Sequence, residues 1–286
     1  MKALTTLALL MATSTAAMAK TDLTFDVYNA DEHSFNVTST LVVGETESLL
    51  IDTGFTRADA LRIAAKVLDA GKPLKTIFIS QADPDYYFGV SQLLEIFPEA
   101  HVVTTAAVRE AIAKKLENKI SFWGPKMGLN APQNPKLPEV LKANSLMVDD
   151  AKIEIRGTQG VLAHRPYLWV PSEKAILGNV GIVEGMHVWM ADTQSDAEVN
   201  AWLAQLEEMQ ALKPKFVVPG HMTASGKLDA SNISFTHTWI ERFVSAKSSS
   251  KNSAALIDAM SDYYPELDSD FSLELGAQVH MNEAKW

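Results

Sequence analysis

The chain has 286 residues, of which 47% are hydrophobic and 21% charged, with 25 Lys+Arg against 35 Asp+Glu. That makeup belongs to a folded globular protein and excludes disorder, a collagen-like fibre and a disulfide scaffold. The absence of cysteine removes thiolate zinc sites, thiol nucleophiles and iron–sulfur clusters, and the net charge of −10 argues against nucleic acid as a partner.

In chain order, the first element is a targeting signal. Residues 1–19 carry a basic start at Lys2, an apolar run and a small-x-small end at Ala17-Met18-Ala19, the pattern of a cleaved secretory signal. The run is shorter than the ~20 apolar residues of a span. The expectation is a periplasmic or secreted protein, one domain over residues 20–286, with no membrane span in the mature chain.

A hairpin is predicted at Thr38–Val43 and Ser48–Ile51, leading into Asp52-Thr53-Gly54, where Asp52 should accept backbone hydrogen bonds and hold the loop. A helix over 58–68 is stopped by Gly71 and Pro73. The run 74–80, with Ile77, Phe78 and Ile79, is apolar enough to lie centrally in a sheet covered on both faces. A loop at 81–86, a helix over 89–96, a strand over 100–104 and a helix over 106–117 continue the rhythm. The Gly/Pro/Asn-rich stretch 123–132 reads as a surface loop, with Trp123 forming a wall or lid of the cleft.

The second half predicts strands at Ser145–Val148, 153–156, Tyr167–Val170 and Ala175–Leu177, the last pair a hairpin. A helix over 197–212, a strand over 216–218 ending in Pro219-Gly220-His221, and two helices near 233–246 and 254–260 follow. Two β-rich halves with helices outside give an α/β fold, a four-layer αββα sandwich.

The segments Leu49–Gly54, Ile77–Gly89, Ile176–Asn179 and Val217–His221, in that order and spacing, resemble the metallo-β-lactamase superfamily over about residues 36–222. The resemblance implies a zinc hydrolase centre built from His-x-His-x-Asp-His, a mid-chain His, an Asp and a last His. Aligned by spacing, this chain sets Gln81, Asp83, Asp85, Tyr86, Val161, Asn179 and His221 at those positions, so that Asp85 and His221 alone keep the family's residues. Val161 has no donor atom, Gln81 and Asn179 offer neutral amides, and Tyr86 a phenol normally protonated at neutral pH. The substitutions argue against dinuclear zinc. What remains for catalysis or for a single divalent ion, zinc, manganese or similar, is Asp83, Asp85 and His221, while Gln81, Tyr86, Asn179 and Trp123 would line a small-ligand cleft.

Without metal, His221 would pair with Asp85 or Asp83 and favour its charged form, and two converging carboxylates would raise the pKa of one. His164 is a candidate substitute donor, and His187 and Asp192 read as packing and turn residues. No Gly-x-Ser-x-Gly elbow or phosphate loop occurs. Two functions stay open. One is a hydrolase of a small ester, lactone, amide or thioester with a rebuilt centre and at most one weakly held ion; the other is a non-catalytic periplasmic binding or accessory protein.

Overall fold

Hydrophobic alternation sorts the strands into two sheets whose inner faces meet. The computed structural model describes residues 22–267 and 271–286, so the signal reading lies outside the described residues. The first sheet runs in the order β1 (Thr24–Asn29), β2 (Thr38–Val43), β3 (Ser48–Ile51), β4 (Leu74–Phe78), β5 (His101–Thr104), β6 (Glu139–Val140). Its first three strands are antiparallel and the pairs from β3 to β6 are parallel. The second sheet contains β7 (Ser145–Val148), β8 (Ala151–Arg156), β9 (Tyr167–Val170) and β10 (Ala175–Leu177). After the short β11 (Val183–Glu184), β12 (Phe216–Val217) joins the sheet parallel to β10, and β13 (His221–Met222) pairs parallel with β11.

Strands buried on both sides show which residues face which layer. In β3, Leu49 and Ile51 pack with Phe78, Ile153, Leu168, Val170 and Leu177 between the sheets, while Leu50 points outward to the helices. In β9, Leu168 and Val170 face the first sheet, and Tyr167 and Trp169 face the second helical layer. Helices α1 (Arg57–Ala70), α2 (Pro84–Tyr87), α3 (Val90–Ile96) and α4 (Ala106–Met127) belong to the first half, and α1, α3 and α4 cover its outer face. Helices α5 (Asp196–Ala211), α6 (Ser231–Ser249), α7 (Ser253–Tyr263) and α8 (Phe271–His280) pack on the other side of the second sheet around Trp202, Trp239 and Phe243. The αββα sandwich read from the sequence is the observed one. Full burial of each large apolar side chain there contributes about 1.5–3 kcal/mol.

Three expectations change. The stretch 123–132 is not a loop over its first half: α4 continues to Met127 through Pro125, followed by a 3₁₀ turn at Gly128–Asn130. Trp123 packs edge-on against Phe35, Phe55 and Phe122, and this aromatic contact outweighs the helix-breaking preference of Gly124-Pro125. Strand β1 has no counterpart among the predicted elements; it is a half-buried edge strand whose Phe25 and Val27 pack on the core between the sheets. A third closing helix, α8, follows the two expected ones. Thr56 with Asp59 and Ser195 with Glu198 form capping boxes at the starts of α1 and α5. Among the described residues no helix is long and apolar enough to cross a membrane.

Candidate functional site

The loops at the carboxyl ends of β3, β4 and β10 and the turn between β12 and β13 converge, as parallel strands require of ligand-bearing loops. Asp52, just past β3, sits at φ 63°, a left-handed conformation that Asp tolerates. It accepts hydrogen bonds from the Ser80 N–H at 2.7 Å and the Ser80 hydroxyl at 2.6 Å, the structural role expected of it. Burial outweighs both bonds and pushes Asp52 up to about 7. The next residue, Thr53, donates its N–H and hydroxyl to the Tyr86 carbonyl at 2.8 and 3.1 Å, fixing α2.

His221, the first residue of β13, has both ring nitrogens engaged. Nδ1 lies 2.8 Å from the Phe35 carbonyl, which can only accept, so Nδ1 carries the proton. Nε2 is then the acceptor for the Tyr86 hydroxyl at 3.0 Å. Asp85 Oδ2 is 3.6 Å from the same nitrogen, beyond a hydrogen bond. Burial holds the imidazole below its ordinary range, against the opposing Phe35 carbonyl and Asp83 charge. His221 is therefore the neutral tautomer, which corrects the expectation of a charged pair with a carboxylate: burial outweighs the Phe35 carbonyl and the Asp83 charge. Burial and then the charge of Asp83 hold the Asp85 carboxyl well above the usual carboxylate range, as two neighbouring acids should. Burial, helped by Asp85, likewise keeps the Tyr86 phenol protonated.

This close approach rests on Gly220. A Cβ there would lie 2.2 Å from the Asn179 carbonyl and 2.7 Å from the Tyr86 hydroxyl. Replacing Tyr86 with Phe should leave a largely buried Nε2 without its donor and cost about 1–3 kcal/mol, read as a lowered urea midpoint with an unchanged slope.

The other aligned positions scatter in role. Asn179 spends its amide on the backbone, Nδ2 donating to the Val218 carbonyl at 2.9 Å and Oδ1 accepting from the Ile182 N–H at 2.8 Å. Both ends of the buried amide are engaged by backbone groups, which makes it a structural brace where a ligand-binding group was expected. Gln81, 1% exposed, donates Nε2 to the Pro166 carbonyl at 3.0 Å, and its Oε1 has no partner. Val161 is 53% exposed. Trp123 packs on Phe35, whose carbonyl holds His221, and on Phe55, which stacks on Phe88 at the end of α2. His187 is buried and receives the Trp239 indole N–H at 3.2 Å, a packing role as expected.

A cavity of about 60 Å³ opens beside Gln81, lined by Gln81, Asp83, Lys115, His164, Arg165 and Asp192, with Ala82 and Ala111. Asp83 caps α2 without a side-chain cap bond. Arg165, 8% exposed, donates to the Thr193 hydroxyl at 2.6 Å and stacks on Trp202. Burial and the Arg165 charge push His164 down, Asp83 opposing. Both carboxylate oxygens of Asp192 accept indole N–H bonds, from Trp189 at 2.6 Å and Trp286 at 3.0 Å. Sequence reading passes over Lys115 and Arg165. The signal available is Ala111-x-x-x-Lys115, a small residue and a cation one turn apart on one helical face.

The sequence model of the metallo-β-lactamase superfamily matches residues 34–174. The chain belongs to the metallo-β-lactamase superfamily. No curated protein sequence matches it. Among solved structures it is similar to a metallo-β-lactamase family protein of Thermus thermophilus, with a TM-score of 0.62 at 15% identity over 91% of this chain and 93% of that one. It is also similar to a metallo-β-lactamase of Pontibacter korlensis, with a TM-score of 0.54 at 17% identity over 78% of this chain and 99% of that one. A metallo-β-lactamase of Hirschia baltica gives a TM-score of 0.51 at 16% identity, covering 76% and 92%. At such identities these structures speak for the fold, a hydrolase-like one.

Metallo-β-lactamase superfamily members usually bind zinc. The residues here do not fit a zinc pair. Among the described residues no three His, Asp or Glu side chains are grouped to hold a metal ion. The surviving imidazole has its lone pair committed to Tyr86, and the amide at 179 is spent on the backbone.

Proposed function

We propose that this chain keeps the metallo-β-lactamase sandwich, has lost the zinc centre, and uses the neighbouring cleft to bind a small polar molecule outside the inner membrane. The observation that carries the reading is the doubly engaged His221: a metal could take Nε2 only by breaking the Tyr86 bond. Gln81, Tyr86 and Asn179, none of which is a strong zinc ligand, support the same conclusion. The basic start, apolar run and small-x-small end of residues 1–19 support export.

A metal-independent hydrolase using Asp83, Asp85 and His221 is the second reading. The 3.6 Å approach of Asp85 to His221 favours it, whereas the Tyr86 bond occupies the nitrogen that a general base needs. Elemental analysis decides the first point. Protein recovered from the periplasm with residues 1–19 removed, purified without chelator and dialysed against zinc, should carry far less than one ion per chain. One or two tightly held zinc ions would overturn the reading, and turnover of simple esters or lactones by the metal-free protein would favour the second.

A further inference from the structure

The cavity beside Gln81 has a charge arrangement that the loss of zinc does not explain. On one side stand two cations from separate elements, Lys115 on α4 and Arg165 from the connection between β8 and β9. Arg165 is more than nine-tenths buried. Its partners, the neutral Thr193 hydroxyl and the face of Trp202, do not cancel its charge, and among the described residues it forms no ion pair. A buried guanidinium without a carboxylate is costly unless an anion completes it.

From the segment after β4 come two acceptors. Gln81 Oε1 is buried and without a partner, and Asp83 carries a carboxylate that caps nothing. A buried carbonyl with no donor also carries a cost of about 1–3 kcal/mol. Asp192 also lines the cavity and keeps its negative charge, but each of its oxygens already accepts an indole N–H, and His164 is pushed toward its neutral form. At ~15 Å³ for each water, the volume holds about four waters, or a ligand of about five non-hydrogen atoms.

We propose that this cavity binds a small zwitterion, an α-amino acid of the size of glycine or alanine, with its carboxylate on Arg165 and Lys115 and its ammonium on Asp83 and Gln81 Oε1. A simple anion would leave the Gln81 carbonyl unsatisfied, and a simple amine would leave Arg165 unmatched. Only a ligand carrying both charges on adjacent carbons completes both sides within this space. The proposal rests on the reading of the cleft as a metal-free binding site.

Titration calorimetry on the full mature chain tests it, once metal-free and once with zinc added, with glycine, L-alanine, L-leucine, acetate and methylamine as probes. Glycine and alanine should bind, and leucine, acetate and methylamine should bind at least about tenfold more weakly. Lys115 is exposed and Asp83 partly so, so that Lys115→Gln and Asp83→Asn should fold normally, and each should weaken glycine about tenfold or more. No binding of glycine or alanine in either condition, or binding indifferent to both substitutions, would overturn the assignment while leaving the metal-free reading intact. Binding that appears only with zinc would overturn the reading on which the assignment rests.

Discussion

Asp52→Asn should flatten the dependence of stability on pH between about pH 4 and pH 8. Asp52 is held near 7 when folded, against an ordinary carboxyl value of 3.8. The folded chain therefore binds this proton more tightly than the unfolded one, and stability contributed at this position is fully present below about pH 4 and lost as pH rises through 7. A shift of that size corresponds to on the order of 4 kcal/mol. Asparagine copies the protonated form: its carbonyl can accept from the Ser80 N–H and its amide can donate to the Ser80 hydroxyl. It also tolerates the left-handed backbone at this residue. Urea unfolding of both proteins across that range should show the variant about equal at pH 4 and more stable at pH 8. Asp85, whose pKa is also raised, contributes a slope of the same sign, and His221, held low, one of the opposite sign near its ordinary range. Both remain in the variant, so the difference between the two curves isolates Asp52. Curves that stay parallel would show that Asp52 is ionised throughout.

Gly220→Ala should be among the most damaging single substitutions in the molecule. The glycine N–H donates to the Ile182 carbonyl at 2.9 Å, and its carbonyl accepts from the Thr38 N–H at 3.0 Å, so the backbone is held from both sides. The added methyl would overlap the Asn179 carbonyl at 2.2 Å and crowd the Val180 Cα at 3.0 Å. Backbone atoms cannot swing aside as a flexible side chain can, and a loss of about 3 kcal/mol or more is expected in the urea midpoint. The methyl would also displace the Tyr86 hydroxyl, so the His221 ring should change its NMR titration in whatever fraction still folds. A near-neutral outcome would mean that the turn between β12 and β13 has slack.

Much of this is legible in the sequence. The strand at Leu74–Phe78 announces itself by Ile77 and Phe78, which have to be buried on opposite faces, and Gly71 and Pro73 mark the end of α1. The loop after β4 and the turn ending in His221 are placed together by family spacing, and the structure brings Asp85 and His221 within 3.6 Å. Asp52 plays the part its loop position suggests. Protonation is not legible: whether His221 is charged depends on the balance between burial, the Phe35 carbonyl and the Asp83 charge, and no spacing rule encodes that. Nor is the course of α4, because Gly124-Pro125 signals a break locally while Trp123 gains contacts from Phe35 and Phe55 that are distant in sequence. Asn179 has the right position for a ligand, but only coordinates reveal that its amide is consumed by Val218 and Ile182.

The Phe35 carbonyl has a wider consequence. It sits on the hairpin connection between β1 and β2 where Phe35 and Asn36 are both left-handed, tied to α1 by the Ser34 hydroxyl on Asp59 and to β13 by the Met222 N–H on the Asn36 carbonyl. The position of the His221 proton and the shape of this connection are thus a single variable. Whatever lifted the segment would free Nδ1, permit the ring to exchange tautomers, and loosen its hold on Tyr86 in the same motion, so that a mechanical event at the rim would register as a proton rearrangement at the centre.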